Sequence, residues 1–171
     1  ITVDEMIDEA NRANIAGADY VEVRFDKLYL IKPEPKVTEN EDGEKISKMP
    51  PESEWAVKDF NEVDIEQSIS ALKEAIPVPV IFTARPVREG GFFAGNEEQR
   101  LEVLDKAIQS EVSFVDLELS IEEKERKKLH SSASDSGCKV IASYHDSSST
   151  PSADEIVELV GSNYDKGDIM K

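Results

Sequence analysis

The sequence predicts an α/β fold in which helices cover a parallel sheet, open or closed into a barrel. Three observations carry that reading. Short β-rich runs alternate with amphipathic helical runs. A β-then-α unit recurs about every 25–35 residues without any repeated sequence. Each β run also divides into an apolar face and a polar or mixed face, as side chains alternate across a strand.

The first element is helical: "VDEMIDEANRANIAG" spaces its apolar residues for a helix and ends on glycine. "YVEVRFD" (20–26) is strand-like. "IKPEPKVTENEDGEKISKMPPESEWAV" (31–57) interrupts the alternation, being rich in Pro, Glu and Lys and lacking helical periodicity. It reads as a solvated excursion from the end of the strand, with a hairpin around "NEDGEK" and Trp55 as its anchor. "VDIEQSISALKEAI" (63–76) is an amphipathic helix, and "PVIFTAR" (79–85) is a strand closed by Pro86. A helix at "NEEQRLEVLDKAIQS" leads to the strand "FVDLEL" (114–119). A charged helix over 121–133 leads to "KVIASYH" (139–145). "TPSADEIVELVGS" opens with Thr-Pro and acids, a helix start, and "GDIMK" (167–171) is the last strand.

A chain of 171 residues suits a single domain able to bury a core. Its net charge of −17 argues against nucleic acid and anionic membrane surfaces as partners, because both would repel it. A salt-adapted source is a weak reading of that charge beside 14 lysines. Cys138 is the single cysteine, so no disulfide forms within the chain and a reducing cytoplasm fits. It reads as a small buried apolar residue. No apolar run is long enough to span a membrane, and "ITVDEMIDEA" resembles no signal peptide.

Alternation within the strands places Glu22, Arg24 and Asp26 opposite Val21, Val23 and Phe25. Likewise Thr83 and Arg85 oppose Phe82 and Ala84, and Asp116 and Glu118 oppose Val115 and Leu117. Ser143 and His145 oppose Ala142 and Tyr144, while Ile169 and Lys171 share a face. One wet face of an antiparallel sheet would explain such charges, but parallel sheets are covered on both sides. In a barrel the polar face points inward, where charges must be paired. Glu22, Asp116 and Glu118 nearly balance Arg24, Arg85 and Lys171, and several of these sit at strand C-terminal ends, where barrels place their sites.

A lysine desolvated among apolar residues can become a nucleophilic amine and form a Schiff base with a ketone. A histidine on a neighbouring strand can move the proton that the imine acidifies, oriented by a carboxylate. Arginines can hold hydroxyl or carboxylate groups of a polar substrate. Lys171, His145, one of the carboxylates, Arg24 and Arg85 fit these parts. His130, on a charged helix, reads as surface.

"GADYVEVRFDKL", "PVIFTARPVREGGFFAGNEEQR", "FVDLEL", "KVIASYHDSSSTPS" and "GDIMK", in this order and spacing, resemble the type I 3-dehydroquinate dehydratases of the shikimate pathway of aromatic amino acid biosynthesis. The resemblance implies a (β/α)8 TIM barrel and dehydration of 3-dehydroquinate to 3-dehydroshikimate without a cofactor or metal. It implies Lys171 as the Schiff-base lysine, His145 as general acid/base, and Glu89 of "REGG" as the carboxylate paired with it. Glu22, Arg24 and Arg85 would bind the ring hydroxyls. The glycines of "EGG" lack the pattern of a phosphate cradle.

Against the family pattern the excursion at 31–57 is long. The first barrel strand is expected before Ile1, and the last two strands, with a carboxylate-gripping arginine and a lid loop, after Lys171. Residues 1–171 thus read as one barrel domain incomplete at both ends, inactive and prone to association by itself. The expected partner is the small-molecule substrate, with a homodimer as a candidate assembly. Two other readings stand beside this one: another Schiff-base barrel enzyme of the class I aldolase kind, and a non-catalytic barrel fragment.

Overall fold

Helix starts are written into the sequence as side-chain caps. Thr2, Asp64, Asn96 and Ser152 each accept a backbone N–H from the first turn of the helix they precede, supplying a partner that the helix lacks at its N-terminus. They open α1 (Val3–Ile15), α2 (Ile65–Ala75), α3 (Glu97–Gln109) and α5 (Ala153–Asn163). The intervening α4 (Glu123–Ser136) stops at Gly137, whose φ of 74° is the left-handed conformation of a helix C-terminus. The structure, a computed structural model, describes residues 1–39, 44–146 and 149–171.

Nine strands stand among the described residues. Five of them form one parallel sheet in the spatial order β1 (Val21–Arg24), β6 (Val80–Thr83), β7 (Phe114–Glu118), β8 (Lys139–Ser143) and β9 (Ile169–Met170). Neighbours in the sheet are successive along the chain, with α2, α3, α4 and α5 as the crossovers. This is the β/α alternation read from the sequence. The sheet is not closed: among the described residues no strand pairs with the outer edge of β1 or of β9.

Phe82 of β6, Val115 and Leu117 of β7 and Val140 of β8 are buried against Val103, Leu104, Ala107 and Ile108 of α3. Phe82, Val115 and Leu117 are residues that alternation assigned to the apolar face. Cys138 belongs to the same core, where burial pushes its thiol up to about 12, so it is inert as expected.

The expected strand ends shift. The run 20–26 pairs only to Arg24, because Phe25–Tyr29 turns into a 3-10 helix. There the Asp26 carboxylate leaves the strand pattern to accept the backbone N–H groups of Arg85 and Phe92. The run 79–85 pairs only to Thr83, just before Pro86, which has no N–H to give a ladder.

The excursion contains two small antiparallel pairs. One is β2 (Leu30–Ile31) with β5 (Ala56–Val57); the other is the hairpin β3 (Lys36–Glu39) with β4 (Lys45–Lys48), exposed throughout. The predicted hairpin is therefore present, though its turn, 40–43, lies outside the described residues. Trp55 is half-buried and donates from Nε1 to the Pro50 carbonyl at 2.9 Å, so it fastens the excursion to itself. Lys27 ties the segment back to the end of β1 through Glu52 at 2.7 Å. No helix among the described residues is long and apolar enough to cross a membrane.

Candidate active site

The polar faces of the five strands meet at their C-terminal ends. The Lys171 ammonium, just past β9, lies 2.9 Å from Glu22 of β1 and 3.1 Å from Asp116 of β7. Thr83 of β6 donates to the same Glu22 oxygen at 2.7 Å. Asp116 is fully buried and also takes the Ser143 hydroxyl of β8 and the Arg85 guanidinium, the latter at 3.2 Å. Arg85 lies 3.7 Å from Glu22 and 3.5 Å from Glu118. One buried guanidinium thus faces three carboxylates. Glu22 and Lys171 are on one side of the sheet, as alternation requires.

His145 stands at the end of β8, with Arg85 Nη1 2.6 Å from its Nδ1 and Glu89 Oε2 3.4 Å from the same nitrogen. These two neighbours demand different proton positions. Arginine can only donate, so its bond makes Nδ1 an acceptor and leaves the neutral ring's proton on Nε2. Pairing with Glu89 needs the proton on Nδ1, which frees Nε2 to act as a base. A ligand that draws Arg85 away from the ring favours the second state. Burial, and then Arg85, push His145 below its ordinary value, against the pull of Asp116 and Glu89. Burial works against the Glu22 carboxylate too, but Lys171, Thr83 and Arg85 outweigh it and hold Glu22 below its usual range.

Lys171 rests on two carboxylates. Arg24, beside Glu22 on β1, grips Asp26 with two bonds, at 2.9 and 2.8 Å. The glycines after Glu89 serve the backbone. Gly90 has a φ of 75°, and a Cβ on Gly91 would lie 2.1 Å from the Arg85 carbonyl oxygen. They let the turn fold onto the strand end that carries Arg85.

The type I 3-dehydroquinase family model matches residues 1–171. The chain belongs to that family. The 3-dehydroquinate dehydratase of Methanocaldococcus jannaschii is 37% identical over 115 residues, 67% of this chain and 49% of that protein. That of Methanopyrus kandleri is 29% identical over 171 residues, 99% of this chain and 61% of that protein. Among solved structures, the 3-dehydroquinate dehydratase of Geobacillus kaustophilus matches with a TM-score of 0.72 at 18% identity, covering 98% of this chain and 56% of that one. The type I enzyme of Clostridium difficile, solved with covalently modified comenic acid, matches with a TM-score of 0.70 at 21% identity, covering 96% and 55%. The fold is therefore that of the TIM-barrel dehydroquinases, here as an unclosed stretch of barrel. The chain spans about half the length of the first relatives that it matches.

One buried charge beside this group escapes the strand pattern but is legible on a helix. Arg100 of α3 is 1% exposed and meets Glu118 at 2.8 Å and the Ala84 carbonyl at 3.1 Å. It sits at the head of the stripe 100, 103, 104, 107 and 108, the buried face of α3. A charge on the apolar stripe of a helix is the signal. Among the described residues no group of three or more metal-ligating side chains comes together.

Proposed function

We propose that the full-length protein containing this chain dehydrates 3-dehydroquinate to 3-dehydroshikimate through a Schiff base on Lys171. The observation that carries this reading is the bridge made by Arg85, which touches Asp116 beside Lys171 on one side and His145 on the other. A nucleophilic amine and a proton carrier thereby belong to one connected group of charges. Lys171 adds to the ketone after passing a proton to Glu22 or Asp116, both already in contact with it, and loss of water gives the iminium. That cation draws electrons from the adjacent C–H bond, and His145 Nε2, with Nδ1–H turned to Glu89, takes the proton to give an enamine. The enamine expels the hydroxyl, which leaves as water with the proton from His145, and a second water releases the product from Lys171. Arg85 and Glu22 hold the ring hydroxyls. Arg24, held by Asp26, joins them in binding those hydroxyls. The iminium is the electron sink, so the reaction needs no metal or organic cofactor.

Residues 1–171 are on this reading one incomplete barrel domain, 31–57 an inserted excursion, the cytoplasm the place of work and a homodimer the candidate assembly. Borohydride with 3-dehydroquinate tests the chemistry in the full-length protein. It should add the mass of the reduced adduct at Lys171 in the unmodified protein and in His145→Ala, but not in Lys171→Ala. Turnover should vanish in Lys171→Ala and fall by roughly 10²–10⁴-fold in His145→Ala. Near-normal turnover of His145→Ala refutes these roles. Trapping without release of 3-dehydroshikimate points instead to an aldolase-like enzyme.

A further inference from the structure

Glu89 has the least secure place of the groups just described. It ends the short 3-10 turn Val87–Glu89, outside the sheet, so no strand ladder fixes where its carboxylate points. Its side chain is only 10% exposed. Beyond His145, one side chain among the described residues meets that carboxylate. Ser120, in the turn after β7, donates its hydroxyl to Glu89 Oε1, leaving Oε2 for His145. The Ser120 oxygen in turn accepts from Arg88 Nη2 at 3.2 Å.

Arg88 is itself anchored. Glu97 at the start of α3 takes two bonds from it, at 2.9 and 3.2 Å, and two from Arg100, at 3.0 and 2.8 Å. Arg100 runs on to Glu118, Glu118 to Arg85 and Arg85 to His145. The contacts thus close a ring, and Ser120 is its single hydroxyl. A hydroxyl is suited to that position because it can accept from a cation on one side and donate to an anion on the other.

We infer that Ser120 is a positioning residue for the proposed dehydratase chemistry: with Arg88 it holds Glu89 Oε2 against Nδ1 of His145. Ser120 touches no reacting atom and acts through the carboxylate. Without its hydroxyl, Glu89 turns toward the freed guanidinium of Arg88, its sequence neighbour, and leaves the ring. The other charges facing His145 are Arg85 from the end of β6, Asp116 from β7 and Lys171 from the end of β9. The two cations oppose the imidazolium and Asp116 favours it. Loss of Glu89 from this set lets the cations count for more, so the ring gives up its proton at lower pH.

The inference rests on the proposed function for its consequence in turnover, so the test has two independent readouts. Ser120→Ala and Ser120→Thr are made in the full-length protein. The ionisation of His145 is followed by imidazole NMR, its signal identified by its loss in His145→Gln. Turnover of 3-dehydroquinate is measured alongside. In Ser120→Ala the His145 ionisation should move to lower pH and kcat should fall roughly ten- to a hundredfold, the worth of a hydrogen bond to a charged group. Trapping at Lys171 should persist. Ser120→Thr keeps the hydroxyl and should restore both ionisation and kcat. An unmoved His145 ionisation in Ser120→Ala overturns the inference, whatever happens to kcat, as does a threonine variant no better than alanine. No turnover of 3-dehydroquinate by the unmodified protein overturns the dehydratase reading instead, while the NMR readout still decides the role of Ser120.

Discussion

Two buried carboxylates, Asp26 just after β1 and Glu118 at the end of β7, are treated in opposite ways. Asp26 receives four hydrogen bonds, two on each oxygen: Arg24 Nε and the Arg85 N–H on one, Arg24 Nη2 and the Phe92 N–H on the other. Its bonding capacity is filled, and two of its four donors are backbone N–H groups. Glu118 receives Arg100 on one oxygen, while the other lies 3.5 Å from Arg85 without a hydrogen bond. Burial pushes Glu118 above its ordinary value, Arg100 opposes and Asp116 adds to the shift. Both carboxylates are fully buried. Asp26 is a structural joint that holds β1, the Arg85 backbone and the glycine turn together. Glu118 belongs to a cluster in which Arg85 hydrogen-bonds Asp116 and His145 but only approaches Glu22 and Glu118. Such a guanidinium loses less when a substrate takes it than one locked in a bidentate pair.

The strongest break in this comparison is Asp26→Ala in the full-length protein. It strands two backbone N–H groups and the Arg24 guanidinium, and should cost about 3–5 kcal/mol, the usual loss on breaking a buried charge pair. Chemical denaturation measures it. A cost under about 1 kcal/mol, the value of an exposed pair, would place Asp26 among the replaceable surface charges.

Gly91→Ala sharpens it further, because the added Cβ would lie 2.1 Å from the Arg85 carbonyl oxygen. The strand end must yield, at about 1–3 kcal/mol for an overpacked site. The shift falls on Arg85, so on the proposed function the full-length protein's KM for 3-dehydroquinate should rise more than its kcat falls. An unchanged KM would show that the turn can move without the arginine.

The smallest effect belongs to Glu97→Gln. Burial works against the Glu97 carboxylate, but Arg100 and Arg88 hold it down to about 2. A carboxyl lowered in the folded state stabilises above its unfolded value and loses that contribution as pH falls through its folded value. Glu97→Gln should therefore destabilise at neutral pH, by at most about 1 kcal/mol for a group 41% exposed. The difference from the unmodified protein should shrink between about pH 4.5 and 2 in thermal unfolding. A difference that stays constant over that range would remove the ion pairs from the explanation.

What the sequence reveals follows from periodicity. Val115, Leu117, Asp116 and Glu118 were separable by alternation alone, and all four take the expected sides in the structure. Arg100 was equally readable on its helical stripe. Asp26 was not, because it lies beyond the last paired residue of β1, where alternation has stopped. Glu89 and Ser120 sit on turns, which have no period to read. Glu89 was reached only through resemblance, and Ser120 not at all.

The contact between Glu22 and Lys171 joins residues 149 apart in the chain. Closing a loop of that length costs entropy that grows with the logarithm of the separation, while a pair with both side chains about a third exposed returns less than about 1 kcal/mol. The pair therefore cannot pull the two ends of the sheet together. Shorter crossovers between successive strands must assemble first, since local contacts form ahead of distant ones. Lys171 meets its carboxylates only when that assembly is done, so the contact between Glu22 and Lys171 reports that all five strands of this stretch of sheet are in place.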